Sequence, residues 1–316
     1  MRLWTRSPPG PDAGGGGRGR VSRTSGAVFG RVGVMRQGFR RRAPGRHRAG
    51  REGDRPFWRR PVPLAGVAVV VLLALVVPWL WQSRPFDPRH GFGPDYPPAG
   101  IGAAQAPIGA PPKAPGGRGG YAFMQLQADG RHPVAYDPCR PVHFVVSSVG
   151  LPEGGEALVR EAAAVMSQAS GLQFVYDGLT DEAPDPDRDP YQPERYGDRW
   201  APVYLSFATP EEVPGLAGGA IGLGGSTPRA ASDGLLVYVT GAVWLDRDPM
   251  TALLTAGRRD SARAVVEHEI GHVLGLGHVQ DSSELMWESG GAVSGPADGD
   301  RRGLAILGRG SCRPDL

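Results

Sequence analysis

The chain has 316 residues, with 35 Lys+Arg against 32 Asp+Glu, a net charge of +3 and only two cysteines. Length alone permits two domains, but charge is spread so unevenly that composition divides the chain before any motif does. Sixteen arginines and only three acidic residues fall in residues 1–60, so the basic balance belongs to a tail and does not mark the chain as a nucleic-acid-binding protein.

Residues 1–60 are rich in Gly and Pro and lack apolar periodicity, which predicts a disordered segment. Residues 62–81 follow as a membrane-spanning helix. From Leu64 to Trp81 there is no charged side chain, and eighteen residues at ~1.5 Å each span about 27 Å, close to a bilayer's hydrocarbon thickness. A cleaved signal peptide would carry a shorter leader and an Ala-x-Ala site, so the segment reads as a permanent anchor. The arginine excess places 1–60 in the cytoplasm and everything beyond Trp81 outside the cell. A nucleic-acid or anionic-lipid patch is the other reading of the tail, but it lacks interleaved aromatics and topology already accounts for its charge. The near-exclusive use of arginine, with Lys113 the single lysine, points to a GC-rich bacterial genome.

Residues 82–120 are expected to form an extracytoplasmic stalk, since 83–120 contain nine Pro and nine Gly. The remaining 121–316 form one globular domain, bracketed by Cys139 and Cys312. An even count in an oxidising compartment predicts a disulfide between them.

Within that domain, Pro141–Val149 is a β-rich run, and Glu156–Ser170 has apolar residues at helical spacing before Gly171 stops it. Leu172–Tyr176, Val203–Phe207 and Leu235–Thr240 supply further strands. The acidic, proline-rich stretch 177–199 is a solvated loop; Asp185, Asp187 and Asp189 begin like a calcium loop, but Pro190 stands where such a loop needs Gly, so calcium is unsupported. The glycine-rich run 218–226 lacks the Lys-Ser/Thr of a phosphate loop. Asp260 or Ser261 can cap a helix running through Ala264-Val265-Val266, and 303–307 suits a short closing helix.

That capped helix carries the informative segment: residues 268–278 read His-Glu-Ile-Gly-His-Val-Leu-Gly-Leu-Gly-His, or HExxHxxGxxH. At 3.6 residues per turn, His268 and His272 project from one face and can reach one metal ion. Gly275 can end the helix in the left-handed conformation and bring His278 round as a third ligand. Three neutral imidazoles leave a fourth tetrahedral position for water, and Glu269 stands beside it as general base. No other histidine occurs from Phe144 to the C-terminus.

The motif resembles that of the metzincin clan of zinc endopeptidases, and within it the matrixin branch. Met286, eight residues after His278, matches the clan's methionine turn, which implies a hydrophobic floor under the zinc and not a ligand. The chain departs from the matrixin pattern at Val279 and at Trp287-Glu288. The resemblance implies an α+β zincin domain with a twisted mixed sheet and an active-site helix, one catalytic zinc, and a protein or peptide substrate. It also implies that Ala220, Ile221, Gly222 and Leu223 lie in an antiparallel edge strand that binds substrate; from the residues alone, a flexible loop reads equally well. In matrixin zymogens a propeptide cysteine blocks the zinc, but Asp-Pro-Cys139-Arg-Pro does not match that pattern.

The function expected is therefore a membrane-anchored extracytoplasmic zinc endopeptidase. The alternatives are a catalytically idle, zinc-stabilised interaction module on a stalk, and a zinc hydrolase of a non-peptide amide. Glu269 weighs against the idle module, because a purely structural site needs no base.

Overall fold

The computed structural model describes residues 96–290 and 293–316. The basic tail and the anchor at 62–81 lie outside the described residues. Among those described, no helix is long and apolar enough to cross a membrane.

In chain order the elements are β1 (Ala122–Phe123), β2 (Ala135–Tyr136), β3 (Val142–Ser147), α1 (Gly155–Ser170), β4 (Phe174–Thr180), α2 (Pro193–Tyr196), β5 (Val203–Ala208), β6 (Gly222–Ala230), β7 (Leu236–Asp246), α3 (Arg247–Thr255), α4 (Arg259–Leu274), β8 (Leu276–Gly277) and α5 (Asp298–Leu307). This is an α+β domain on a mixed sheet. Strands β4, β3, β5 and β7 run parallel, and β6 pairs antiparallel along β7 from Leu236 to Leu245. With one long edge of β7 taken by β6, β5 and the short β2 share the other edge end to end.

Helices α1 and α4 cover one face of the sheet. Leu158, Val159, Ala162 and Met166 of α1 recur at helical spacing and meet Val266, Ile270 and Val273 of α4. Full burial of each large aliphatic side chain contributes ~1.5–3 kcal/mol. The opposite face is closed by Tyr204, Trp244, Leu223 and Leu216 in a smaller cluster.

Several expectations are corrected. Strand β7 continues six residues past Thr240, because Gly241 is a point of close approach and not a break: a Cβ there would lie 2.6 Å from Gly225 O. Helix α4 starts at Arg259 without a side-chain cap, so neither Asp260 nor Ser261 caps it. Helix α5 begins at Asp298, ahead of 303. The acidic stretch does not all stand in solvent. Asp185, Asp187 and Asp189 are exposed, whereas Glu182 is part-buried and accepts from Arg188 Nε (2.6 Å), Tyr196 Oη (2.6 Å) and Gln192 Nε2 (3.1 Å). The described part of the expected stalk, residues 96–120, runs along the domain surface. The N–H groups of Ala104 and Ile108 donate to Cys139 O (2.7 Å) and Pro138 O (3.0 Å), and Arg302 donates to Gly119 O. The segment thus satisfies part of its backbone against the domain instead of extending into water.

Candidate metal centre

Helix α4 delivers His268, Glu269 and His272, and its end delivers the rest. Gly275 closes the helix at φ 113°, with its N–H on Gly271 O and His272 O at 3.1 Å. The chain then enters β8, pairs with β1, and presents His278. His278 Nε2 lies 3.1 Å from the Nε2 atoms of both His268 and His272.

The outer shell determines which nitrogens point inward. His268 Nδ1–H donates to Leu285 O at 2.7 Å, and His272 Nδ1–H donates to Leu276 O at 2.8 Å. Both rings are thereby held in the tautomer that aims a bare Nε2 at the centre. Burial lowers the His268 pKa well below the ordinary value, and burial, then the charge of His278, lowers His272 to about 4. The rings are neutral at pH 7, the ligand form. A tetrahedral ion ~2.0–2.1 Å from each nitrogen sets its ligands about 3.3 Å apart, which the observed spacing matches. Three converging neutral imidazoles with backbone carbonyls behind them fit zinc.

Glu269 is buried, its Oε1 makes no hydrogen bond, and burial raises its pKa to about 8. It packs on β6: a Cβ on Gly222 would lie 2.7 Å from Glu269 Cγ, and one on Gly224 would collide with the Glu269 carbonyl. Met286 is buried beneath the helix, with its sulfur where a Cβ on Gly271 would lie 2.6 Å away. Its N–H donates to Asp300 Oδ1 (3.2 Å), and its carbonyl accepts from the Val279 N–H (2.9 Å).

Asp300 and Glu284 were not legible in the sequence. Asp300 Oδ2 accepts the N–H groups of Leu285 (2.7 Å) and Ala297 (2.9 Å), while Glu284 accepts those of Gly299 and Asp300 at 3.0 Å. These buried carboxylates hold the turn whose Leu285 carbonyl orients His268. Burial raises the Asp300 pKa to about 6. Two acids in a polar, glycine-rich stretch carry no local signal that they fold inward.

The cleft beside His272 has a volume of about 310 Å³ and is bordered by Gly224, Gly225, Ser226 and Thr227 of β6, with Met124 and Arg188 at its margins. Of the four residues expected to line it, Ala220 and Leu223 are buried, Leu223 with Trp244 on the far face; Ile221 is half-buried and Gly222 backs Glu269. The cleft border begins at Gly224, the residue directly after this stretch. Cys139 and Cys312 form a disulfide with Cα atoms 5.2 Å apart.

Residues 229–294 match the family model of the matrixins. No curated protein sequence matches the chain. Among solved structures it is similar to high choriolytic enzyme 1, a hatching-enzyme zinc protease of the medaka fish Oryzias latipes, at 12% identity over 60% of this chain and 95% of the other, TM-score 0.29. It is also similar to the archaemetzincin of Methanopyrus kandleri (18% identity, 54% and 86%, TM-score 0.26) and to a zinc-dependent peptidase of Methanocorpusculum labreanum (18%, 51% and 92%, TM-score 0.25). These superpositions are loose, so the likeness rests on the sequence match. The matched stretch spans all three histidines, Glu269 and Met286, so over residues 229–294 the chain is similar to the matrixins, and its histidine triad marks it as a zinc metalloendopeptidase.

Proposed function

We propose that this peptidase is membrane-anchored and works outside the cell, cutting extended protein or peptide segments, with Glu269 as its general base. The observation that carries the catalytic part is the buried Glu269 carboxylate, its Oε1 without a hydrogen-bond partner, on the turn of helix between two histidines of the converging triad. A zinc ion held by His268, His272 and His278 supplies Lewis acidity, lowering the pKa of water in its open position to ~7 and polarising a substrate carbonyl. With the positive charge of the bound ion holding it ionised, Glu269 Oε1 would accept the proton of the attacking water and return it to the departing amine nitrogen. No hydrogen bond within the protein has to break for it to do so. An extended substrate lies beside Gly224–Thr227, where the edge strand offers N–H and C=O groups and Gly225, with open space at its Cβ position, leaves room for a second backbone. No side chain of the protein acts as nucleophile, so no acyl-enzyme forms.

The anchoring part rests on the uncharged Leu64–Trp81 stretch and the arginines before it. The Cys139–Cys312 disulfide supports an oxidising compartment.

The test compares cleavage of a mixed peptide library by the zinc-loaded full chain and by Glu269→Ala, read by mass spectrometry. Cuts that vanish in a folded variant with full zinc stoichiometry support the role of Glu269; cuts that persist in it reject that role. Digestion of the domain by protease added to intact cells supports the outward orientation, and protection of the domain overturns it.

A further inference from the structure

Away from the zinc centre, a cavity of about 120 Å³ lies between the first residues of β3 and β5, the first half of β7 and the segment 97–102 laid across them. Neither the three histidines nor Glu269 lines it. Its walls are largely apolar, with Pro97, Ile101, Val142 and Val237 among them. Two of its lining residues nevertheless carry buried donors with no hydrogen-bond partner, Arg140 Nε and Trp200 Nε1.

A buried donor left unpaired costs ~1–3 kcal/mol, and more when charged, so folded proteins keep few of them. Two at one apolar cavity match the layout of a small-molecule site, in which a few converging polar groups orient an apolar body. Both donors are preset. The Trp200 ring is held edge-on by Tyr96 and Tyr191, with centroids 5.2 and 6.3 Å away. Arg140 Nη2 donates to Leu316 O, and its Nη1 lies 3.8 Å from Asp137 Oδ2. Asp137 is turned toward other donors, its oxygens accepting the N–H groups of Cys139 (2.8 Å) and Arg313 (3.1 Å), and Arg140 Nε makes no hydrogen bond to it. A second cationic side chain, Arg199, also lines the cavity, with donors already on Asp177 Oδ2 (2.8 Å) and Tyr196 O (3.1 Å).

We propose that this cavity binds a small carboxylate carried on an apolar ring or branched chain. The carboxylate accepts from Arg140 Nε and Trp200 Nε1, and the apolar part fills the space against Pro97, Ile101 and Val237. At about 120 Å³, somewhat below the ~150 Å³ of an apolar cavity that holds benzene, the space limits the apolar part to a single ring or short branch. The site needs no contact with the peptidase cleft and stands apart from the reading of Glu269.

The experiment titrates the zinc-loaded full chain with benzoate, and with benzamide as its neutral counterpart, following melting temperature and the indole N–H resonances. Saturable benzoate binding that moves one indole resonance, with benzamide at least ~10-fold weaker, is the expected result. Trp200→Phe keeps the ring, deletes that resonance and should weaken benzoate ~5-fold or more. Ile101→Trp, at a partly exposed position of the covering segment, fills the cavity from its rim and should abolish binding without touching the sheet. Absence of saturation, equal affinity for benzamide, or unchanged binding in Ile101→Trp would overturn the proposal, including where Trp200→Phe fails to fold.

Discussion

Around the zinc ligands, the tightest steric limits fall on residues without side chains. Gly222 and Gly224 let β6 lie directly against Glu269, so a single methyl group there meets either the carboxylate stem or the helix backbone. Gly224→Ala is expected to cost ~1–3 kcal/mol through overpacking and to lower kcat more than it weakens zinc binding; thermal melts, zinc titration and peptide kinetics on one preparation check this. The support behind His268 is equally specific. Asp300→Asn offers one carbonyl oxygen where two carboxylate oxygens accept three N–H groups, and it should reduce zinc affinity roughly 10-fold or more while leaving all three ligands in place. Protonation follows the same geometry. The His272 pKa is depressed to about 4 from an ordinary 6.5, so the unfolded chain binds more protons between those values. In metal-free protein this residue's contribution is therefore fully present above about pH 6.5 and lost, by on the order of 3 kcal/mol, as pH falls toward 4, while Glu269 and Asp300, whose pKa values are raised to about 8 and about 6, contribute in the opposite sense. Urea melts of wild type against His272→Gln across that range isolate it, and a difference between the two that does not change with pH would contradict the assignment.

Among elements, what was legible depended on whether a local pattern had one physical meaning. Helix α1, the core strands β3 and β5, and the metal helix were readable because apolar spacing and a five-residue motif each admit one arrangement. The second half of β7 was not, since Gly241 has the same letter whether it ends a strand or admits a neighbouring backbone. Nor was the packing of 96–120, because proline and glycine suit a free tether and a surface-hugging strap alike. The cleft border falls at Gly224–Thr227, just after the expected 220–223, for a related reason: alternation places Leu223 on one face of β6, but only the pairing with β7 says which face is buried. The disulfide was legible from the even cysteine count and the expected oxidising compartment, and its leverage comes from its span. It closes a separation of 173 residues, so removing it by Cys139→Ala with Cys312→Ala is expected to cost up to ~5 kcal/mol on a chain-entropy estimate. Calorimetry of the variant against wild type measures the loss.

For the whole molecule, zinc and fold are coupled, since the ion binds the folded triad and not the unfolded chain. Zinc present at ~1,000 times its Kd contributes about 4 kcal/mol, so chelation should lower the melting temperature as well as stop cleavage, and re-addition of zinc should restore both. The path of the polypeptide into this domain has a mechanical side. Residues 122–123 are laddered to 276–277, immediately before the third ligand, so a pull transmitted through them would strain the metal site. Traction arriving from the N-terminal side meets other joints first: Gly100 on Leu316, then Ala104 and Ile108 on the segment that the disulfide rivets to the C-terminal tail. Those joints precede the β1–β8 ladder along the chain, so a load on the N-terminal side would fall on them, like stitches in a seam, before it reached the histidine strand.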